Sequence, residues 1–313
     1  MNQLEPALQD FAYAYEKMYP LSFEELRDPA AHRRRYERIV EAIDSGLAES
    51  VTTREIIVET GALSMKMRLF QASGAQSQPC CLFFHGGGWT IGGLETHSAW
   101  ASDISQALDI SVLLVDYRLG PENPYPAALD DCANALDYVH ANAGSLGIDA
   151  DRIIVYGDSA GGNLAAALCL RERERGMQRV KAQVLVYPSL HMGEALPSWL
   201  ANRAAPVLTY EVMLACQRAY LRKQAPDPYS APLLASDVSG LPPAWILVAE
   251  KDPLWDDGVL YAQKLRQAGV RTELYEGLGL VHGCLRVRRK SELAGGAFRW
   301  TVDGIRVALQ KRP

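Results

Sequence analysis

The chain predicts an α/β protein in which a mostly parallel central sheet is flanked by helices and topped by a helical cap. Three observations predict it. From about residue 79, short apolar segments alternate with helical segments. The segment 153–156 runs through Gly157-Asp158-Ser159-Ala160-Gly161 into a helix of small residues, a strand–turn–helix unit. One connection, between Tyr187 and Trp245, exceeds fifty residues, is rich in proline, and breaks the rhythm as an insertion above the sheet would.

In chain order, Leu4, Leu8, Phe11, Tyr15 and Met18 recur at helical spacing, so an amphipathic helix is expected near 3–18. A second helix is expected over about 29–45. Ile56 and Val58 alternate with polar residues, as do Met65, Met67 and Leu69; Glu59-Thr60-Gly61 between them suggests a hairpin. Buried strands follow at 80–84, 112–116, 153–156, 184–187, 245–249 and 272–275. The helices between them lie near 97–108, 127–142, 162–175 and 257–268. Within the long insertion, 209–222 reads as helical, and the insertion packs with the N-terminal helices as a lid.

Composition narrows the function classes. The 313 residues are 48% hydrophobic and 22% charged, with a net charge of -5, which gives no support for nucleic-acid binding. The basic run His32-Arg33-Arg34-Arg35 precedes Tyr36, Ile39, Val40 and Ile43 at helical spacing and is expected to be a solvated helix face. The N-terminus has no charged lead followed by an apolar stretch, and no apolar run approaches the roughly 20 residues that span a bilayer. A cytoplasmic protein without membrane association is expected. Six cysteines show no C-x-x-C spacing; Cys80, Cys81 and Cys169 sit in apolar surroundings as small hydrophobes.

Ser159 is the leading chemical candidate. Glycines two residues before and after it permit a turn that lifts its hydroxyl to the tip of a strand. A serine hydroxyl needs a base within hydrogen-bond reach, and the base needs an orienting acid. On a parallel sheet these belong in loops at strand C-terminal ends, and in serine hydrolases of this architecture the chain order is nucleophile, acid, base. His282 follows the segment 272–275 after a glycine-rich loop, and of six histidines it alone comes after the acidic candidates. Those are Glu250, Asp252, Asp256 and Asp257. Pro253 rigidifies the turn at Asp252. Asp256 and Asp257 look like the start of the next helix, where a carboxylate caps free N–H groups.

His85-Gly86-Gly87-Gly88-Trp89 follows the segment 80–84 directly. Three successive glycines expose backbone N–H groups and let a ligand approach closely. A phosphate site is disfavoured, because no Gly-Lys-Ser/Thr follows. His85 is expected to anchor the loop rather than move protons.

These two motifs together resemble the hormone-sensitive-lipase-like carboxylesterases of the α/β-hydrolase fold, bacterial family IV, in the branch with a Gly-Asp-Ser-Ala-Gly elbow. Asp116-Tyr117-Arg118-Leu119-Gly120-Pro121-Glu122, Asp252-Pro253-Leu254 and His282-Gly283 extend the resemblance over about residues 79–285. It implies Ser159 as nucleophile, Asp252 as acid and His282 as base, with the N–H groups of Gly87, Gly88 and Ala160 as oxyanion donors. It implies an N-terminal helical cap segment, 1–45, and an α/β-hydrolase catalytic domain, 46–313, with a cap insertion at about 190–230. Gly120 stands where alanine is common and Cys284 where phenylalanine is usual.

The expected activity is hydrolysis of short- to medium-chain acyl esters, with a small-molecule ester as substrate and no metal or organic cofactor. Trp89, Trp199, Val207 and Leu208 are candidates for an apolar substrate pocket, with ordinary cap packing as the alternative. The sheet edge near 272–275 is a candidate surface for a homodimer. A ligand-binding protein without turnover, or an amidase, lactonase or acyltransferase using the same three residues, is the alternative function.

Overall fold

A computed structural model describes residues 4–18, 28–60 and 63–310. Residues 1–3 and 19–27 of the expected cap segment, including the expected helix start at residue 3, lie outside the described residues, as do Gly61 of the expected hairpin turn and 311–313 of the expected catalytic domain.

Among the described residues one sheet contains β1 (Thr52–Thr60), β2 (Leu63–Gln71), β3 (Gln78–Phe84), β4 (Ser111–Asp116), β5 (Ile148–Asp158), β6 (Val180–Val186), β7 (Ala244–Lys251) and β8 (Thr272–Val281). Their order across the sheet is β1-β2-β4-β3-β5-β6-β7-β8. β2 pairs antiparallel with β1 and with β4, and the remaining pairs are parallel. The hairpin register sets Ile56 opposite Met67 and Val58 opposite Met65; these residues are buried, whereas Ile57 between them is exposed. A strand's side chains alternate between faces, so one alternating set alone reaches the core.

The central strands are apolar on both faces because helices cover both. Leu82, Phe84, Leu113 and Val115 pack with α4 (Ala127–Leu146), α5 (Ala160–Glu174) and α8 (Trp255–Gln267) on one side. Cys81, Phe83, Val112 and Leu114 pack with α3 (Leu94–Leu108) and α9 (Glu292–Leu309) on the other, joined by Leu8 and Phe11 of α1 (Pro6–Met18). All six cysteines are free thiols, and Cys80, Cys81 and Cys169 are buried. Among the described residues no helix is long and apolar enough to cross a membrane.

Three local expectations need correction. The glycine-rich stretch 277–281 is not a loop but the continuation of β8, which pairs Lys251 with Val281 across a register shift. Positive-φ Gly279 supplies the irregularity, and its N–H donates to Glu250 Oε2 at 2.6 Å. The basic run on α2 (Pro29–Ile43) is not wholly solvated: His32 is buried, and Arg33 donates to Thr90 O, Gly120 O and both oxygens of Glu122. Arg33 therefore ties α2 to the segments beside the glycine motif. Helix α9 was not anticipated, since Gly295, Gly296 and Gly304 dilute its helical pattern.

The long connection holds α6 (Pro197–Ala201), α7 (Tyr210–Leu221) and a 3-10 turn at Pro232–Leu234. Tyr220 of α7 stacks on Trp89 at a centroid distance of 4.4 Å, which seats the insertion on the glycine loop.

Candidate active site

Strand β5 ends at Asp158 and α5 starts at Ala160, so Ser159 makes the whole turn between them. Its φ of 55° and ψ of -117° lie outside the ordinary regions and cost on the order of 1–3 kcal/mol. The surroundings hold it there. Its N–H donates to Val186 O at 2.8 Å, and its carbonyl accepts from Asn163 N and Ser189 N. A Cβ at Gly161 would stand 1.9 Å from Phe84 O, so the helix can approach the neighbouring strand end only with glycine there.

Two other strand ends bring partners to this hydroxyl. His282 leaves β8 with Nε2 3.0 Å from Ser159 Oγ. Its Nδ1 lies 2.6 Å from Oδ2 of Asp252, which follows β7. Asp252 is fully buried, and its Oδ1 accepts the Leu254 N–H at 2.9 Å. The carboxylate thus has a fixed orientation and the imidazole a fixed tautomer: Nδ1–H donates to Asp252, leaving Nε2 to accept from Ser159.

The other acidic candidates are committed elsewhere. Glu250 holds Gly279. Asp256 and Asp257 do open α8, as expected, but their oxygens do not cap it. Asp256 accepts Ser198 N–H, and Asp257 accepts Leu190 N–H, His191 N–H and the Trp199 indole N–H, tying the insertion to α8. Burial raises Asp257 to about 7 against the opposing pull of these three donors.

The glycine loop is fastened from below. Gly86 N–H donates to Asp158 Oδ1 at 2.8 Å, and the Tyr117 hydroxyl donates to His85 O at 2.6 Å. His85 stacks on Tyr117, with ring centroids 4.1 Å apart, and its Nδ1–H donates to Gly86 O. Burial, with the neighbouring His97 second, pushes His85 down to about 3, so it is neutral near pH 7. Gly87 and Gly88 take φ of 123° and 57° and line the pocket beside Ser159. A Cβ at Gly88 would stand 2.5 Å from Cys216 Sγ of α7. Ala160 is buried at the first turn of α5, where a backbone N–H has no partner within the helix and the dipole favours negative charge.

The pocket above Ser159 is walled by both helical segments: Phe11, Tyr15 and Tyr36 from α1 and α2, and Val207, Leu208 and Met213 from the insertion. Trp89 is also on its wall. Trp199 is not. It is buried behind the pocket with Met213 and Leu254, its indole N–H drawn to Asp257, so its expected place at the substrate is corrected. Cys284 is buried and off the pocket wall.

Sequence patterning gave no sign of Arg286. Buried on the pocket wall, it donates to Thr96 O, Tyr36 Oη and His97 Nε2. Burial, then the adjacent Arg286 charge, pushes His97 down to about 4. Burial alone would raise Asp158, but the His97 contacts, the Arg286 charge and the Gly86 N–H bring it below its ordinary value. Asp158 is therefore an anion held under the loop. Among the described residues no group of three or more His, Cys, Asp or Glu is arranged to hold a metal ion.

Residues 81–286 match a family described as alpha/beta hydrolase fold. A carboxylesterase of Mycobacterium tuberculosis is 42% identical over 66% of this chain, and the chain spans 66% of that relative's length, just under two thirds. An arylesterase of Saccharolobus solfataricus is 33% identical over 92% of this chain and 94% of its own. Among solved structures, a thermostable carboxylesterase cloned from a metagenomic library superposes with a TM-score of 0.87 at 37% identity, covering 91% of this chain and 98% of that one.

Proposed function

Because the chain belongs to the alpha/beta hydrolase fold family, among its hormone-sensitive-lipase-like carboxylesterases, we propose that it hydrolyses uncharged esters of short- to medium-chain acyl groups, with Ser159 as nucleophile, His282 as base and Asp252 as acid. One observation carries this: the unbroken chain from Ser159 Oγ through the His282 ring to Asp252, with contacts of 3.0 and 2.6 Å.

In that mechanism His282 Nε2 takes the hydroxyl proton as Ser159 Oγ attacks the ester carbonyl carbon. The resulting imidazolium is stabilised by the Asp252 carboxylate. The carbonyl oxygen becomes an oxyanion, received by the N–H groups of Gly87, Gly88 and Ala160; each such donor is worth roughly 3 kcal/mol of barrier. Collapse expels the alcohol, which takes the proton from His282, and leaves Ser159 acylated. Water then attacks the acyl carbon, His282 again accepting and returning the proton, and the carboxylic acid departs. No step calls for a metal or organic cofactor.

The apolar part of the pocket wall, Phe11, Trp89, Ile91, Val207, Leu208 and Met213, supports an uncharged acyl group, while Arg286 on the same wall is engaged with Thr96 O, Tyr36 Oη and His97 Nε2. The same wall supports reading the N-terminal helices and the insertion as one cap. The direct test is Ser159→Ala assayed on p-nitrophenyl acetate and butyrate. Loss of kcat by at least about 10³-fold is expected; activity near that of the unaltered protein would overturn the nucleophile assignment.

A further inference from the structure

The pocket at Ser159 has a free volume of only about 80 Å³. Beside it, open to solvent, lies a surface groove of about 500 Å³ between α1, α2 and the segment leading into α9, with Pro6, Asp10, Ala42 and Lys290 exposed along it. Phe11 is a wall of both. The residue is buried, and its ring edge lies 3.3 Å from where a Cβ of Gly283 would stand, next to His282. Phe11 is thus a wall common to the pocket at the reaction centre and to this outer groove.

Of the three charged groups along that groove, Asp10 is exposed to solvent and the other two are engaged. Glu5 accepts from Ser291 Oγ, Glu292 N and Leu293 N, and Lys290 Nζ donates to Ile43 O. Much of the remaining wall is apolar, made by Pro6, Ala7, Ala14, Ala42, Ile43 and Val287. Such a surface offers an alkyl chain burial, and nothing specific to a carboxylate or phosphate.

We propose that the pocket and the groove are one acyl route interrupted by the Phe11 ring, and that the side chain at position 11 sets the longest acyl chain the protein accepts. The proposal rests on the ester-hydrolase reading above and adds its substrate limit. An acyl group that fits short of Phe11 is processed with the ring in place. A longer aliphatic chain enters the groove only when the ring swings aside. Each methylene that is buried in the groove gains up to about fourfold in binding.

The test is the ratio of kcat/KM for p-nitrophenyl decanoate to that for the acetate, measured within each variant so that general damage cancels. Phe11→Ala is expected to raise this ratio at least tenfold, and Phe11→Trp to lower it. Ala42→Trp fills the groove, and in the Phe11→Ala background it is expected to return the ratio to within about threefold of the original. A Phe11→Ala ratio within twofold of the original would overturn the proposal, as would a gain that survives Ala42→Trp. A parallel profile with acetate still hydrolysed rejects the divided route alone; absence of acetate hydrolysis in the unaltered protein rejects the esterase reading beneath it.

Discussion

The carboxylate of Asp158 accepts the backbone N–H of Gly86 at 2.8 Å, so the residue before Ser159 fixes the loop that carries Gly87 and Gly88. This bond, together with that from the Tyr117 hydroxyl to His85 O, holds the proposed glycine donors in place beside the proposed nucleophile. Asp158→Ala leaves a buried N–H with only the 3.3 Å contact to His97 Nε2. The expected result is a fall in kcat of about 10²-fold on p-nitrophenyl butyrate with KM changed less than threefold, since small misplacement acts on the transition state. Asp158→Asn keeps an acceptor oxygen and is expected to recover much of the loss. Steady-state kinetics on the two variants check this; equal losses would count against the positioning role.

Gly88 is confined twice, by a φ of 57° and by Cys216 facing it. Gly88→Ala is expected to lower kcat/KM by more than 10²-fold. Adding Cys216→Ala is expected to restore little, because the Cys216 Cβ itself stands 2.8 Å from the new methyl and the left-handed backbone cost of roughly 1–2 kcal/mol remains. Kinetics of the single and double variants decide it.

Much of this arrangement was legible in the sequence, and the reason is positional. Ser159 stands in a strand–turn–helix unit and His282 is the one histidine after the acidic cluster, so position nominated those two; among Glu250, Asp252, Asp256 and Asp257, position left the acid open and the family resemblance pointed to Asp252. Facing was not legible in the same way. Trp199 and Val207 both sit in the insertion and both are apolar, yet only Val207 reaches the pocket, because the Asp257 carboxylate draws the Trp199 indole away. Arg33 and Arg286 were opaque for a related reason. Arginine in a basic run looks solvated, and the carbonyls that satisfy these two come from distant segments: Thr90 and Gly120 for one, Thr96 for the other. The end of β8 was hidden by its glycines, which mark a bulge here and a loop elsewhere.

Three buried groups shape the acid behaviour of the fold between about pH 4 and 7; Asp158, held below its ordinary value, adds its share at lower pH. His85 and His97 lie at about 3 and about 4 in the folded chain, below the ordinary 6.5. The unfolded chain therefore binds their protons first, and the stability they contribute is present above pH 6.5 and lost as pH falls toward 4. Asp257 has the opposite sign. Raised from 3.8 to about 7, it keeps a proton in the folded state that the unfolded chain releases, so its contribution is present at low pH and lost as pH rises through 7.

Between pH 6 and 4.5 the unfolded chain holds nearly two histidine protons that the fold lacks, against the one Asp257 proton that the fold alone holds. Stability is then expected to fall by about 1.4 kcal/mol per pH unit on acidification. Asp257→Asn removes the offset and is expected to double that slope, whatever its effect on stability at neutral pH. Urea unfolding at several pH values measures both slopes; an unchanged slope in Asp257→Asn would contradict the assignment.

The central claim is that Ser159 is activated by His282 and Asp252, and the most direct measurement is covalent. A fluorophosphonate probe is added to the folded protein, and the adduct is located by peptide mass spectrometry. The account predicts one stoichiometric adduct on Ser159, formed at least 10²-fold more slowly in His282→Ala. An adduct on another residue, or labelling of Ser159 at an unchanged rate in His282→Ala, would contradict it.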